Sequence, residues 1–392
     1  SKLSLFLSYI RLYPQLLGLD SIYIGQKFFD LILLLLLSPY FSTIKFDFNS
    51  LLIGSWIFSI FGLTLCIGNI AFLFGIELIF KIIFALIVFN IFRINKYIFI
   101  GSSQKLIKYY CFLCILIFIF YNFGPTSDII DLIWDQEKSR IYGHSLFRNV
   151  FISANPNWSA FSSICIFSLA ILTNAPLYLI GISFFLIFFT FSKTGIIALV
   201  IGSLLSLLKL ISIGFFQILI NLKISKKNFK IFSFFITLII SFIIFSSFIF
   251  SFSRYHLTVI LKLFTTLITG ELPVKNIPTL SGRLQLFNDA LGNISLLGSN
   301  QGLEFNQAFD SSLTMILRLS GYLGLVITIS VICILIFKNS KYFGSSIFNI
   351  YYPKILLFVS ILFFSLSSDF INNTSMLIPA SATLAIFSNR DK

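Results

Sequence analysis

Long apolar runs separated by short polar gaps organise this chain. A helix needs about 20 apolar residues to cross the hydrocarbon core of a bilayer, which is roughly 30 Å thick. In lipid the backbone must satisfy its own hydrogen bonds, so such runs cross as helices. They cover residues 21–38, 51–73, 76–94, 106–124, 158–174, 176–191, 195–220, 231–252, 313–337, 353–371 and 374–388. The sequence predicts an all-α polytopic integral membrane protein, a single membrane domain over 1–392 with about 11 or 12 transmembrane helices.

The composition excludes a soluble globular fold. Hydrophobic residues make up 57% of the chain and charged residues 11%. Soluble domains have roughly 45–50% apolar residues and about 25% charged residues. A chain this poor in charge has too little polar surface to be soluble, which agrees with the apolar runs.

The net charge of +14 is an orientation signal rather than a sign of nucleic-acid binding. Lys and Arg concentrate in alternate gaps, as the positive-inside rule requires of cytoplasmic loops. The residues are Lys45, Arg93, Lys96, Lys105, Lys108, Lys209, Lys223, Lys226, Lys227, Lys230, Lys338, Lys341, Lys354, Arg390 and Lys392. This pattern predicts a cytoplasmic C-terminus and two outer loops, 125–157 and 253–311. The stretch 3–19, interrupted by Arg11 and Pro14, is the candidate twelfth span.

Polar residues inside the apolar runs have structural interpretations. Glu77 and Lys81 are four residues apart, hence on one helix face, and are predicted to neutralise each other. Cys111 and Cys114 form a lone Cys-x-x-Cys pair with no second pair and no nearby histidine. We interpret the cysteines as small core residues and expect no metal site.

The larger outer loop is predicted to contain the active site and short helices. Leu284, Phe287 and Leu291 have helical spacing, with Ser281 as a cap and Gly292 as a stop. These residues predict an amphipathic helix that lies on the membrane surface or covers a cavity.

Cations on the predicted outer side run against the positive-inside bias and need a reason. The main ones are Arg148, Lys193, Arg254, Arg283 and Arg318. An arginine at the centre of a membrane helix costs about 2.5–3.5 kcal/mol, so Arg318, two turns into a run, is expected to face a wet cavity or an anion. Converging guanidinium groups suit a diphosphate. The alternative is contact with lipid headgroups, above all for Arg254.

Acidic residues on the same side are candidates for a general base. Deprotonation of a sugar hydroxyl requires a carboxylate close to the membrane surface. Asp310, just before a run, and Asp369, just inside the outer end of another, meet this requirement, and Glu304 is a further candidate. Ion pairing with the arginines is the alternative role. His144 and His256 have no metal-ligand partner in the sequence and are interpreted as loop residues.

Several short motifs together resemble the O-antigen ligase and polymerase superfamily. The matching residues in the outer loop are Gly282-Arg283, Phe287, the turn from Leu297-Gly298 to Gly302, Asp310, and the exit from Gly321 to Gly324. Upstream, they are Arg148, Asn155-Pro156-Asn157 and Ser192-Lys193-Thr194-Gly195, with lysine where the family usually has arginine. The similarity covers roughly 140–330, and its motifs follow one another in the order of the family.

The resemblance implies a glycosyltransferase that needs no metal or cofactor. It would polymerise undecaprenyl-diphosphate-linked oligosaccharide repeat units on the periplasmic face of a bacterial inner membrane. Arg283, Arg148 and Arg318 would bind the diphosphate, and Asp310 would orient or deprotonate the acceptor. Lys193 and Arg254 are further diphosphate-binding candidates; Asp369, Glu304 and Asn157 complete the candidate site. A chain-length regulator protein is a further partner of such a system.

Two alternatives remain open from the sequence. A ligase would use the same donor and transfer finished glycan to a lipid A core or a protein. Such ligases usually have a histidine where this chain has Asp310-Ser311-Ser312, so the sequence favours a Wzy-type polymerase. A transporter or flippase would instead show inverted repeats, broken helices and charges at mid-membrane. No repeat is found in the sequence, and the charges collect in the outer loops.

Overall fold

The computed structural model describes residues 2–10, 22–44, 72–123, 155–190, 194–206, 311–337, 347–368 and 373–387, together with positions 51, 52, 54–56, 59, 192, 296, 370 and 371. Within these residues every regular element is a helix and no strand occurs. The prediction of an all-α fold is therefore confirmed for the part of the chain that the structure describes.

The helices are numbered in chain order. They are α1 (Lys2–Tyr9), α2 (Ile22–Leu37), α3 (Phe72–Ile94), α4 (Lys96–Phe123), α5 (Pro156–Leu172), α6 (Leu177–Phe189), α7 (Thr194–Ser206), α8 (Ser312–Phe337), α9 (Ile347–Ser367) and α10 (Thr374–Phe387). A 3₁₀ turn, Ser38–Thr43, continues α2. Most helices coincide with predicted runs, and α10 matches the run 374–388 almost to the residue.

One described helix, α4, is long and apolar enough over Lys96–Ile119 to cross a bilayer. Shorter apolar helical stretches of 10–17 residues lie in α5, α6, α7, α8, α9 and α10. At 1.5 Å per residue, α10 with its 14 residues is about 21 Å long, shorter than a hydrocarbon core of roughly 30 Å. Helices α8 and α10 match their predicted runs in both position and length, whereas α6 is shorter than its run.

The start of α4 differs from the sequence prediction. Residues 95–105 were expected to be a loop, but the chain turns only at Asn95 and is helical again from Lys96. One face of this added segment is buried, and its members recur at helical spacing: Phe99, Ser103 and Leu106. The rings of Phe92 in α3 and Phe99 in α4 pack against each other across the turn at Asn95, with their centroids 4.3 Å apart. Burial of this face explains why a segment rich in lysine and serine is helical.

Helix α5 lies at the centre of the bundle. Every residue from Ser159 to Ile171 is buried, and α5 contacts α4, α6, α9 and α10. Small side chains such as Ala160, Ser162 and Ser163 allow helices to approach closely on all sides, which is typical of helix packing in membranes. The hydroxyl oxygens of Tyr110 and Ser163 are 3.2 Å apart and join α4 to α5.

Two hydrogen bonds show that α7 and α9 run antiparallel. Thr194 Oγ1, at the start of α7, donates to Ser367 Oγ at the end of α9, over 2.9 Å. Toward the other ends, Ser203 Oγ and Tyr352 Oη are 3.0 Å apart. Between them Gly202 leaves room for Leu356, because a Cβ at Gly202 would lie 2.9 Å from Leu356 Cδ1.

Helix α8 is broken at Gly321, which has φ 63° and ψ −161°. Residues with a Cβ rarely adopt this conformation, so the break depends on glycine. It frees backbone N–H groups after the kink, and the N–H of Leu323 donates to the carbonyl of Leu296 over 3.2 Å. The kink therefore joins the Gly321 to Gly324 motif to the residue before the Leu297-Gly298 turn.

The charge pair inside α3 is confirmed. Lys81 Nζ lies 2.9 Å from Glu77 Oε1, and Lys27 Nζ of α2 approaches the same oxygen at 3.9 Å. Cys111, Cys114 and Cys165 are buried free thiols, as expected of core residues, and Cys333 is half-buried.

We predict that Gly321→Ala destabilises the protein by about 1–3 kcal/mol, because the backbone conformation at the kink strains any residue with a Cβ. The control is Gly181→Ala in α6, where a Cβ meets nothing within 4 Å. Alanine there is expected to be neutral or to stabilise by about 0.5–1 kcal/mol. Thermal unfolding of the purified variants in detergent measures both. Equal unfolding temperatures for the two variants would show that the kink is not strained by a side chain.

Candidate functional site

Four helices begin at one end of the bundle, and a polar side chain caps each of them. The caps of α5 and α7 are joined. Asn155 Oδ1 accepts a hydrogen bond from the N–H of Asn157 over 2.8 Å, with Pro156 in the first turn of α5. Ser192 Oγ accepts from the N–H of Gly195 over 3.2 Å and donates to Asn157 Oδ1 over 2.7 Å. Asn157 therefore links the start of α5 to the start of α7.

The caps of α8 and α10 are joined around the end of α9. Ser311 Oγ accepts from the N–H of Thr314 over 3.3 Å and donates to the carbonyl of Ser365 over 2.9 Å. Asn373 Oδ1 caps α10 by accepting from the N–H of Ser375 over 2.9 Å.

Ser312 makes two further bonds at this junction. Its N–H donates to the carbonyl of Ser368 over 3.2 Å. Its hydroxyl accepts from the N–H of Ile371 over 2.8 Å. The start of α8 is thus fixed to the turn between α9 and α10.

The bond from Thr194 to Ser367 connects both pairs of caps into one network. We call its members the capping cluster: Asn155, Asn157, Ser192, Thr194, Ser311, Ser312, Ser365, Ser367, Ser368 and Asn373. Below it, Phe161 packs edge-to-face on Phe364 and Phe370, with ring centroids 5.2 and 5.0 Å apart. This aromatic layer separates the polar end from the apolar core.

The capping cluster is electropositive because of the helix ends that meet there. The starts of α5, α7, α8 and α10 each contribute roughly half a positive charge, and the ends of α6 and α9 each roughly half a negative charge. The balance is about one positive charge at a largely buried site. Backbone N–H groups at helix starts are suited to bind phosphate and other anions.

Of the predicted site residues, the structure describes Asn157 fully and Arg318 by its backbone. Asn157 belongs to the capping cluster. Arg318 lies in the first segment of α8, six residues after Ser312, or about 9 Å along the axis. The other predicted site residues lie outside the described part of the chain: Arg148, Lys193, Arg254, Arg283, Glu304, Asp310 and Asp369.

The segments that contain positions 193, 310 and 369 nevertheless continue into the cluster. Ser192 and Thr194 flank position 193, Ser311 follows position 310, and Ser368 precedes position 369. Three sequence segments that were singled out separately therefore meet at one end of the bundle. The predicted amphipathic helix over 282–291 lies outside the described residues.

Sequence reasoning missed most of the neutral residues of the cluster. It selected candidates by charge, while Thr194, Ser311, Ser365 and Asn373 are uncharged. The signal was available, since a Ser or Asn directly before an apolar run is a typical helix cap. The sequence does not reveal which caps share a hydrogen bond, because the partners are far apart along the chain. Asn157 and Ser192, for example, are 35 positions apart.

Within the described residues no group of three or more His, Cys, Asp or Glu side chains is placed to hold a metal ion. Comparison of the chain with family models, with curated proteins and with solved structures found no match.

We predict that Asn157 and Ser192 stabilise the protein through each other. Loss of a serine cap costs about 1 kcal/mol, and the half-buried Asn157 acceptor left without its donor adds to that cost. A double-mutant cycle of Asn157→Ala and Ser192→Ala is expected to give a coupling of at least about 0.5 kcal/mol in thermal or denaturant unfolding.

The matched control pairs Asn157→Ala with Ser55→Ala. The Ser55 hydroxyl is exposed and donates to the carbonyl of Leu52, three residues earlier in its own helical turn. These two effects should add. Additive effects for the Asn157 and Ser192 pair as well would contradict a network that joins α5 to α7.

Proposed function

We propose that this chain is a polytopic glycosyltransferase of a bacterial inner membrane. In this proposal it polymerises undecaprenyl-diphosphate-linked oligosaccharide repeat units into O-antigen or a related surface polysaccharide on the periplasmic face. The observation that carries the proposal is the convergence of four capped helix starts, at the point where three of the motif segments meet.

The predicted topology supports the location of this site. Lys and Arg counts assign the loops 125–157 and 253–311, the turn 371–374 and the gap between the runs 176–191 and 195–220 to the outer side. The capping cluster consists of residues from these segments and from the outer ends of the adjoining runs. The charge count and the hydrogen-bond network are independent observations, because the hydrogen bonds given above for the cluster join uncharged groups.

The electrostatics of the capping cluster suit a lipid diphosphate. Its partial positive charge comes from fixed backbone dipoles, which favour developing negative charge without reorganisation during the reaction. Arg283, Arg148 and Arg318 are the proposed guanidinium partners of the phosphates, with Lys193 and Arg254 as further cations. Lysine at position 193 provides charge without the two-pronged geometry of arginine.

In the proposed reaction the acceptor hydroxyl attacks the anomeric carbon of the donor glycan. A carbon–oxygen bond forms to the acceptor, and the bond from the anomeric carbon to the diphosphate breaks. Asp310 takes the hydroxyl proton as the general base. Asp369 and Glu304 are the alternative candidates for this role. Undecaprenyl diphosphate leaves with the bonding electrons, and the arginines and helix starts stabilise its negative charge. The chemistry uses no cofactor.

We predict that Arg283→Ala abolishes polymerisation. In a strain that lacks the chromosomal copy, the surface glycan resolved on a gel should collapse from a ladder to a single repeat on the lipid core. The reason is the loss of a cation that stabilises the leaving diphosphate. Arg140→Ala, an arginine of the other outer loop without a proposed role, is the matched control and should keep the ladder. Immunoblots verify equal protein levels.

Other gel patterns would contradict this assignment in different ways. Long lipid-linked chains that accumulate without attachment would indicate the ligase alternative. An unchanged ladder at normal protein level would remove Arg283 from the site. An unchanged ladder in the deletion strain itself would point to transport, for which the broken helix α8 is the structural feature to pursue.

We also predict opposite accessibility for the two kinds of loop. In a cysteine-free background, Lys138→Cys in the first outer loop should react with a membrane-impermeant maleimide in spheroplasts. Lys227→Cys, in a predicted cytoplasmic loop, should react only after permeabilisation. The positive-inside rule predicts this difference in labelling, because it places the lysine-rich loop in the cytoplasm. Labelling of both sites in sealed spheroplasts would refute the predicted topology.

A further inference from the structure

An apolar cavity of about 110 Å³ lies between α3, α8, α9 and α10. It exists because small residues face the gap, namely Ala85 on α3 and Ala380 and Ser381 on α10. The kink at Gly321 shapes its other side, since both segments of α8 contribute to the wall, Ile316 before the kink and Ile332 after it. A longer side chain at position 85 or 380 would fill the space.

Three polar side chains of the cavity wall are bonded within the protein. At one end Trp56 Nε1 donates to Thr328 Oγ1 over 2.8 Å, and Thr328 Oγ1 donates to the carbonyl of Gly324. Ser381 Oγ donates to the carbonyl of Leu377 over 2.8 Å. Water in a cavity needs two to four polar partners, so this wall favours a hydrocarbon occupant.

The other end of the cavity meets the capping cluster. Ser365 lines the cavity, and its carbonyl accepts the hydrogen bond from Ser311. Ile371 also lines it, and its N–H donates to Ser312 Oγ. An electropositive end and an apolar slot are thus continuous, which suits a molecule with an anionic head and an apolar chain.

The chemistry of the wall distinguishes two kinds of lipid phosphate. A diacyl phospholipid has glycerol and two ester groups directly beside its phosphate, and these polar groups would be buried against a largely apolar wall. A polyprenyl phosphate has hydrocarbon from the first carbon onward. An apolar cavity of roughly 150 Å³ in another protein holds benzene, so this one suits about one five-carbon unit, and the remaining chain continues elsewhere.

We propose that this cavity binds the isoprene unit next to the diphosphate of a polyprenyl diphosphate whose phosphates lie at the capping cluster. The inference rests on the proposed function, because it names the carrier lipid of that same site. It assigns a specificity role to Ala85 and Ala380, whose small side chains keep the slot open.

The test compares three probes on the purified full-length protein in detergent: farnesyl diphosphate, inorganic diphosphate and dioleoyl phosphatidic acid. Ala85→Trp is expected to weaken the binding of farnesyl diphosphate at least about tenfold. A tenfold loss of affinity corresponds to about 1.4 kcal/mol, and each CH₂ group that is no longer buried removes about 0.8 kcal/mol. Inorganic diphosphate should bind the variant within about twofold of wild type. Ile83→Trp, on an exposed face of α3, is the control and should change neither affinity.

Ala380→Leu adds less volume and serves as the second variant if Ala85→Trp lowers the unfolding temperature. Unchanged affinity for farnesyl diphosphate in both variants overturns the proposal. Phosphatidic acid that binds as tightly as farnesyl diphosphate and is weakened equally also overturns it, because the slot would then hold ordinary lipid. Farnesyl diphosphate binding that depends on Ala85, in a protein that glycan gels show is not a polymerase, would support the cavity and refute the proposed function.

Discussion

The structure depends on how the buried helix ends satisfy their backbone groups. Each helix start leaves four N–H groups without an internal partner, and a buried unpaired donor is costly. Polar side chains from neighbouring helices share this task here: Ser192 caps α7 and at the same time bonds to Asn157 of α5. Because one side chain serves two helices, their starts are held together.

The same requirement explains why an electropositive site forms in a chain with few charges. An ionised side chain at the centre of a bilayer costs about 2.5–3.5 kcal/mol. Capped helix starts provide a comparable field from backbone dipoles, and their caps are neutral Ser and Asn residues. The antiparallel packing of α7 and α9, fixed by Thr194 and Ser367 at this end, brings the remaining starts alongside. The positive partial charge at this end of the bundle is therefore a consequence of the packing.

Much of the helical architecture was predictable because it depends on local sequence. The apolar runs located α5, α6 and α10, and the i, i+4 spacing predicted the ion pair of Glu77 with Lys81. The early start of α4 was missed because its lysines and serines suggested a loop, while burial of Phe99 and Leu106 on one face decides the structure. The kink of α8 was also missed, since Gly321 in an apolar run does not reveal that Leu296 will accept the freed N–H of Leu323.

The candidate site was only partly predictable for a related reason. Motif order pointed to segments around Asn157, Ser192 and Ser311, and these segments do meet. Their contacts depend on pairings such as that of Ser311 with the carbonyl of Ser365, 54 positions away, which no local pattern encodes.

The kink, the cavity and the capping cluster are connected through α8. Its first segment starts at Ser311, in the electropositive cluster, and carries Arg318 in its second turn. Its second segment turns away at Gly321 and lines the apolar slot with Thr328 and Ile332. A straight α8 would run past the space that the kink leaves between α3 and α10. A single glycine conformation thus lets one helix contribute both to the capping cluster and to the apolar slot, the two places that the proposed lipid diphosphate would occupy with its phosphates and its chain.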